Sequence, residues 1–264
     1  MLHHLNPSRS KVVIGNGTGE GSPTLRKYDY LQHLTPAQME QWATYRRPGQ
    51  QAFLIPNFVD TSGDRPASRA EARQRWGLPQ DAFVVLAAAA LRKRFKRIDH
   101  LIREFRTFAD QYSRPCVLVL AGGREDETDE LIALGNQLLG QRVRFLENVP
   151  RKEMSSLYPV ADLFTIPALD EVFGIAFIET MACGLPVAAN DTSVMRWVSG
   201  PAGKFGDFRD EGGLARLLME LSSGELREGA ARAARPHVEE NFSLRSVVSR
   251  MLEMHQAMAP GHAA

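Results

Sequence analysis

The chain has 264 residues, 44% of them apolar, and a formal net charge of +1 at pH 7. That length and apolar share support an ordinary packed core, in one large domain or one domain plus part of another. The balanced charge excludes a global pull toward nucleic acid or an anionic membrane, so any basic site must be local.

Two cysteines, Cys116 and Cys183, sit in apolar contexts and read as buried free thiols, which fits a reducing cytoplasm. No run approaches the ~18 consecutive apolar residues of a spanning helix. The opening MLHHLNPSRS lacks the apolar core of a signal peptide. The expectation is a soluble cytoplasmic protein with at most a peripheral contact on the inner face of the membrane.

Residues 1–50 hold less than a domain. Lys11–Gly15 reads as a strand, and the glycine-rich 16–21 that follows reads as a turn rather than a phosphate loop, because no strong helix start comes after it. Tyr28–Leu34 is a second short strand, and Thr35-Pro36 supplies the cap and first-turn proline of a helix. Residues 52–60 form a strand running into Ile55-Pro56, where proline fixes its own φ and biases Ile55 toward extended backbone. Such a segment suits a stiff connection, and the boundary is placed just before it, giving units 1–50 and 51–264. The charged run Ser68–Trp76 reads as a surface helix.

From Phe83 the pattern becomes regular. Strand-like 83–90 precedes a helix whose Ile98, Leu101, Ile102, Phe105 and Phe108 make one buried stripe. Strand-like 116–123, an acidic helix from Asp126, strand-like 142–149 and a helix from Lys152 follow. Next come the strand 163–167, a helix Ile175–Cys183 ended by Gly184-Leu185-Pro186, and a strand 186–190. Three helices, at 208–223, 225–239 and 243–257, close the chain. Apolar strands alternating with amphipathic helices imply an α/β fold, a Rossmann-like parallel sheet with helices on both faces, with ligands at the carboxyl ends of the strands.

Two loops carry candidate chemistry. Residues 92–97 (RKRFKR) hold five cations at the end of the first long strand, which by themselves fit either a nucleic-acid patch or a solvated loop. Residues 170–174 place Asp170, Glu171, Phe173 and Gly174 ahead of a helix. The N–H groups of a helix start favour an anion, and Gly174 lets a ligand approach the backbone closely. The acidic cluster 125–130 and the pair Asp207 and Asp210 lack a strand-end Asp-x-Asp context and read as solvated surface; no zinc spacing or serine elbow occurs. His100 beside the apolar stripe reads as structural.

Glu171 and Glu179, with FGIA between them and MACGLPV behind, resemble the E-x7-E signature of retaining GT-B glycosyltransferases of the group 1, or family 4, type. Residues 52–60 resemble that family's IPNGVD junction, with Phe58 where glycine is commoner. KRIDHLI at 96–102 resembles its KG-x-D-x-LI motif, with Arg97 in place of glycine, and Gly200–Gly203 resembles its G-x-AG turn. The break Asn241-Phe242-Ser243 resembles the start of the closing helix that crosses back to the N-terminal domain.

The resemblance implies the C-terminal, donor-binding half of a GT-B fold, with the N-terminal domain mostly missing. It implies transfer of a hexose from a nucleotide diphosphate sugar to a hydroxyl acceptor, a glycan or lipid-linked saccharide, with retention. No metal, nucleic acid or cofactor beyond the sugar nucleotide is expected. Arg92 and Lys96 would meet the diphosphate, and Glu171 would act at the donor sugar as the catalytic-site carboxylate. Phe173, Gly174 and Ile175 would offer backbone N–H groups, and Glu179 would accept from the ribose hydroxyls. Without the resemblance, either glutamate could simply favour a helix macrodipole. The alternatives are a donor-binding subunit or remnant needing a separate N-terminal-domain partner, and a phosphorylase or epimerase on the same fold.

Overall fold

Strands that are apolar at every position must be covered on both faces, and the period of two along each strand sends alternate side chains to separate cores. The computed structural model describes residues 13–16, 23–62 and 67–259 and meets that requirement with two all-parallel sheets among them. The small sheet holds β1 (Val13–Asn16), β2 (Tyr30–His33) and β3 (Gln51–Leu54), in that order. Helix α1 (Pro36–Tyr45) links the last two, and the Thr35 hydroxyl accepts from the Gln38 N–H as its cap. Of the glycine-rich stretch expected as a turn, residues 17–21 lie outside the described residues.

The strand expected at 52–60 is β3, and its hydrogen bonds go to β2 of the small sheet rather than to the larger one. Helix α2 (Arg69–Arg75) then opens the larger unit with a capping box between Ser68 and Glu71. The sheet is built from β4 (Phe83–Ala88), β5 (Cys116–Gly122), β6 (Val143–Glu147), β7 (Leu163–Thr165), β8 (Val187–Asn190) and β9 (Gly203–Gly206). The helices between them are α3 (Ile98–Gln111), α4 (Thr128–Leu139), the short α5 (Met154–Leu157), α6 (Ile175–Ala182) and α7 (Ser193–Ser199). The chain closes with α8 (Gly213–Ser222), α9 (Gly224–Asn241) and α10 (Leu244–Met258). The strand order is β6-β5-β4-β7-β8-β9, so the winding reverses between β4 and β7.

Val84 and Leu86 of β4 enter the core shared with α6, α7 and α9, while Val85 and Ala87 enter the core shared with α3, α4 and α8. The stripe from Ile98 to Phe108 is wholly buried in the second. Strand β9 had no sequence signal, since only Phe205 interrupts its glycines and lysine. It is held instead by full parallel pairing with β8. The helix expected from 208 starts at Gly213, because Glu104 of α3, itself buried, accepts the N–H groups of Gly212 (2.8 Å) and Ala215 (2.9 Å) and so sets its first turn. The last helix, α10, returns to the small sheet, where Val247 and Met254 pack with Ile55, Phe53 and Val13.

Helix α2 is less superficial than its charged sequence suggests. Arg73 is 3% exposed and donates to Val160 O (2.9 Å), Gln80 O (2.7 Å) and Asp162 Oδ2 (2.8 Å). Asp162 also accepts the Val84 N–H (2.9 Å) and the exposed Arg69 guanidinium (2.8 Å). Asp162→Ala would leave the Arg73 charge buried without its partner, a loss of about 3–5 kcal/mol of stability. Arg69→Ala removes only the exposed arm and costs about 1 kcal/mol or less. Urea unfolding of both variants measures the difference; equal small losses would mean that the buried pair does not hold α2 in place.

Candidate functional site

In an open parallel sheet, the loops after two strands flanking a winding reversal diverge to opposite faces and leave a crevice between them. Here those loops are 89–97 after β4 and 166–174 after β7. In the first, the backbone doubles back tightly: Arg97 N donates to Lys93 O (2.8 Å), and Phe95 and Arg97 hold positive φ values of 66° and 49°. Glycine adopts such angles at no steric cost, which explains why a glycine suits position 97. Arginine holds it because its Nη1 donates to Phe208 O (2.8 Å) and Pro167 O (3.3 Å), bridging the two loops and the turn after β9. From the other side, buried Asn190 donates to Leu169 O (2.9 Å) and accepts from Phe208 N (2.9 Å).

Across the crevice so formed, Lys96 Nζ forms an ion pair with Glu171 Oε1. The two side chains are 23% and 11% exposed, so the pair is a largely desolvated one rather than a surface contact. The remaining loop cations are engaged differently. Lys93 pairs with Glu130, and Glu127 accepts the Lys93 N–H (2.7 Å). The acidic cluster read as solvated surface therefore shapes the cationic loop. Arg92 stacks over Phe95 with its guanidinium 5.5 Å from the ring centroid, and its Nε is buried without a protein partner. Among the described residues, Lys96 rather than Arg92 is the cation that pairs with Glu171, so of the two expected diphosphate ligands one is engaged there and the other stands apart.

Helix α6 is entered through Gly174, its N-cap, whose φ is 86°. At its first turn Phe177 N donates to Gly174 O (3.0 Å), while the N–H groups of Gly174, Ile175 and Ala176 precede the first residue that can find an acceptor within the helix. Phe173 contributes no side chain there: it is 2% exposed and packs edge-on against Trp197 (6.2 Å) and Phe242 (5.6 Å), fixing the helix start from beneath. Ile175 is 41% exposed at the first turn.

Glu179, further along α6, is held apart from the Lys96–Glu171 pair. It accepts from the Tyr158 hydroxyl (2.6 Å) and from Arg151 Nη2 (3.0 Å). Burial, reinforced by the charge of Glu179, raises the Tyr158 phenol far above its ordinary range, so it stays a donor at any working pH. Arg151 follows the carboxyl end of β6 and is 86% exposed. Neither residue stands out in the sequence; Arg151 could have been found by the rule that placed 92–97, whereas a tyrosine in an apolar run carries no such signal. Glu179, Arg151, Met154, Tyr158, Cys183 and Phe58 line a cavity of about 610 Å³. His100 is pushed down from its ordinary range, by burial first and by Arg97 next.

A family model described as glycosyl transferases group 1 matches residues 68–236. D-inositol 3-phosphate glycosyltransferase 1 of Catenulispora acidiphila is 29% identical over 279 residues, covering 98% of this chain and 66% of that protein. The D-inositol 3-phosphate glycosyltransferase of Salinispora arenicola is 33% identical over 215 residues, covering 76% of this chain and 47% of that protein. The chain thus spans about half to just under two thirds of the length of these relatives. Among solved structures, Anabaena HepE in complex with UDP and glucose superposes with a TM-score of 0.79 at 20% identity, covering 95% of this chain and 72% of that one. At that identity the likeness is one of fold.

The cavity wall offers a direct chemical readout. Burial foremost, with Glu179 adding and Arg235 opposing, pushes the Cys183 thiol up to about 11. Alkylation needs the thiolate, so at pH 8 Cys183 should react with iodoacetamide about 100-fold more slowly than an ordinary exposed thiol of pKa ~8.5. Its rate should keep rising with pH beyond 9, as peptide-level mass spectrometry would show. A rate that levels off by pH 9 would mean that the thiol is solvated and the cavity open.

Proposed function

Since the chain belongs to the group 1 glycosyl transferases, we propose that it binds a nucleoside diphosphate sugar along the carboxyl edge of the large sheet and transfers its hexose to a hydroxyl acceptor. The transfer retains the anomeric configuration and uses no catalytic metal. The observation that carries this reading is the desolvated Lys96–Glu171 pair, set at the winding reversal beside the open first turn of α6.

Departure of the nucleotide develops negative charge on the diphosphate. Lys96 and the N–H groups at Gly174 and Ile175 are fixed donors for that charge, in a site that needs little reorganisation, while the Arg92 guanidinium, stacked over Phe95, adds positive charge from further off. Glu171 faces the sugar side, where its carboxylate accepts from hexose hydroxyls and stands near the positive charge developing at the anomeric carbon. When the diphosphate takes up Lys96, Glu171 is released to do so. Glu179 accepts the two ribose hydroxyls: exposed Arg151 gives way, while the buried Tyr158 keeps the carboxylate oriented.

The acceptor side belongs to a second Rossmann-like domain, of which the small sheet and α1 are the part in this chain. A glycan or lipid-linked saccharide is the proposed acceptor class, and the name of the relatives makes a phosphorylated inositol one acceptor to assay. Anabaena HepE has been solved with UDP and glucose and with UDP-glucose, so UDP and UDP-glucose are the first ligands to try. No helix among the described residues is long and apolar enough to cross a membrane.

Calorimetric titration with UDP, GDP, ADP and their sugars tests the donor assignment. Glu179→Ala removes two charge-assisted hydrogen bonds to ribose and should weaken binding of the free nucleotide by about tenfold to a hundredfold. Glu171→Ala should leave the free nucleotide within about threefold of wild type while weakening the intact sugar nucleotide more. Equal affinity of wild type and Glu179→Ala for every nucleotide would remove the ribose assignment.

A further inference from the structure

The junction between the two sheets carries Phe58, a large aromatic where the resembling motif has glycine. A hydrophobic residue in a stiff connection usually belongs to a core, yet Phe58 is 39% exposed and joins none of the buried clusters, whereas its neighbour Val59 packs against the larger core. Nor does any ring or cation stack on it among the described residues. The backbone that carries it is nonetheless well anchored. Val59 N donates to Phe242 O (2.9 Å), Leu244 N donates to Val59 O (3.0 Å), and Pro56 removes freedom just upstream. An aromatic side chain held on a pinned backbone, unpaired and facing a cavity, is a preorganised stacking surface.

That cavity is the one of about 610 Å³ whose wall includes Glu179. Helix α6 orders its contents. The open N–H groups lie at Gly174, Glu179 follows about 7.5 Å along the axis at the helical rise, and Ala182 and Cys183, further on, line the cavity. A nucleotide laid with its diphosphate at the helix start and its ribose on Glu179 must project its base to the cavity side. We infer that Phe58 is the aromatic wall on which the donor's nucleobase stacks, an inference that rests on the assignment of Glu179 to the ribose. Apolar Met154 and Ala182 and the hydroxyls of Ser155 and Ser156 complete a lining suited to a flat heteroaromatic ring with polar edges. Stacking itself is tolerant of base identity, because every base has a π-face; Phe58 sets how tightly the base is held, and the polar edges set which base.

Calorimetry on the full chain separates this from packing. The ligands are UDP, ADP, GDP and inorganic pyrophosphate, and the proteins are wild type, Phe58→Ala, Phe58→Leu, Phe58→Trp and Glu179→Ala. The affinity for the preferred nucleotide should fall about tenfold or more in Phe58→Ala, as expected for a base losing an aromatic partner. Phe58→Leu, which keeps the apolar bulk without the π-face, should lose nearly as much, and Phe58→Trp should restore it. Pyrophosphate, which has no base, should bind all three within about twofold of wild type. Nucleotide affinity unchanged in Phe58→Ala and Phe58→Leu, with Glu179→Ala impaired, overturns the stacking role and leaves the donor site standing. Parallel losses for pyrophosphate and nucleotide overturn it as well, since they would mean that Phe58 acts on the fold. If wild type binds no nucleotide, the donor-site reading falls and takes this one with it.

Discussion

Two adjacent strands whose following segments must leave in opposite directions form the constraint on which the rest of the molecule depends. The pairing of Val85 with Leu163 and Leu86 with Phe164 joins β4 to β7 at the centre of the large sheet, where the winding reverses. Backbone cannot fill the space above such a junction, because each loop is drawn toward the helix on its own face. What fills it here is side-chain chemistry: the Lys96–Glu171 pair spans the crevice, and Arg97 fastens its two rims. The apolar strands make the crevice inevitable, and the charged loops make it usable.

The polar groups that hold this arrangement form a second, buried scaffold beneath it. Asn190 ties the β7 loop to the turn at Phe208, Glu104 caps α8, and Asp162 gathers Arg73, Arg69 and the start of β4. Each satisfies donors or acceptors that would otherwise be stranded away from water, at a cost of about 1–3 kcal/mol apiece. They stand at the edges of the sheet, where strands stop donating to one another and loops begin. A parallel sheet has its ligand site at its carboxyl edge, where Asn190 ends β8, whereas Asp162, just before β7 and bonded to the start of β4, stands at the opposite edge and serves the fold alone.

Much of this was legible in the chain itself. The repeating apolar strands and the stripe from Ile98 to Phe108 carry a periodicity that tertiary packing reinforces, and the fold class followed from them. The glutamate pair and the cationic loop were visible because strand ends are where ligands go. Other features had no local pattern to show. Strand β9 exists by pairing with β8, not by propensity. The side chain of Phe173 turns into the core although its backbone opens a helix, because Trp197 and Phe242 lie beneath it, and their proximity is a long-range fact. Tyr158 and Arg151 come to Glu179 from across the sheet, so one-dimensional spacing says nothing of them. The strand β3 pairs with β2 of the small sheet, with Leu54 opposite His33, an outcome that the same residues could not announce alone.

The polypeptide passes between the two sheets twice, once at Ile55–Val59 and again at Phe242–Leu244, and the two passages are hydrogen-bonded to each other through Val59. Two linked spans constrain the junction more than either span alone would, because each holds the other in register. The same joint reaches the site directly. Phe242 bears on Phe173, the residue immediately before the first turn of α6. A displacement of either span would therefore press, through the Phe242 ring, on the residue that precedes the start of α6.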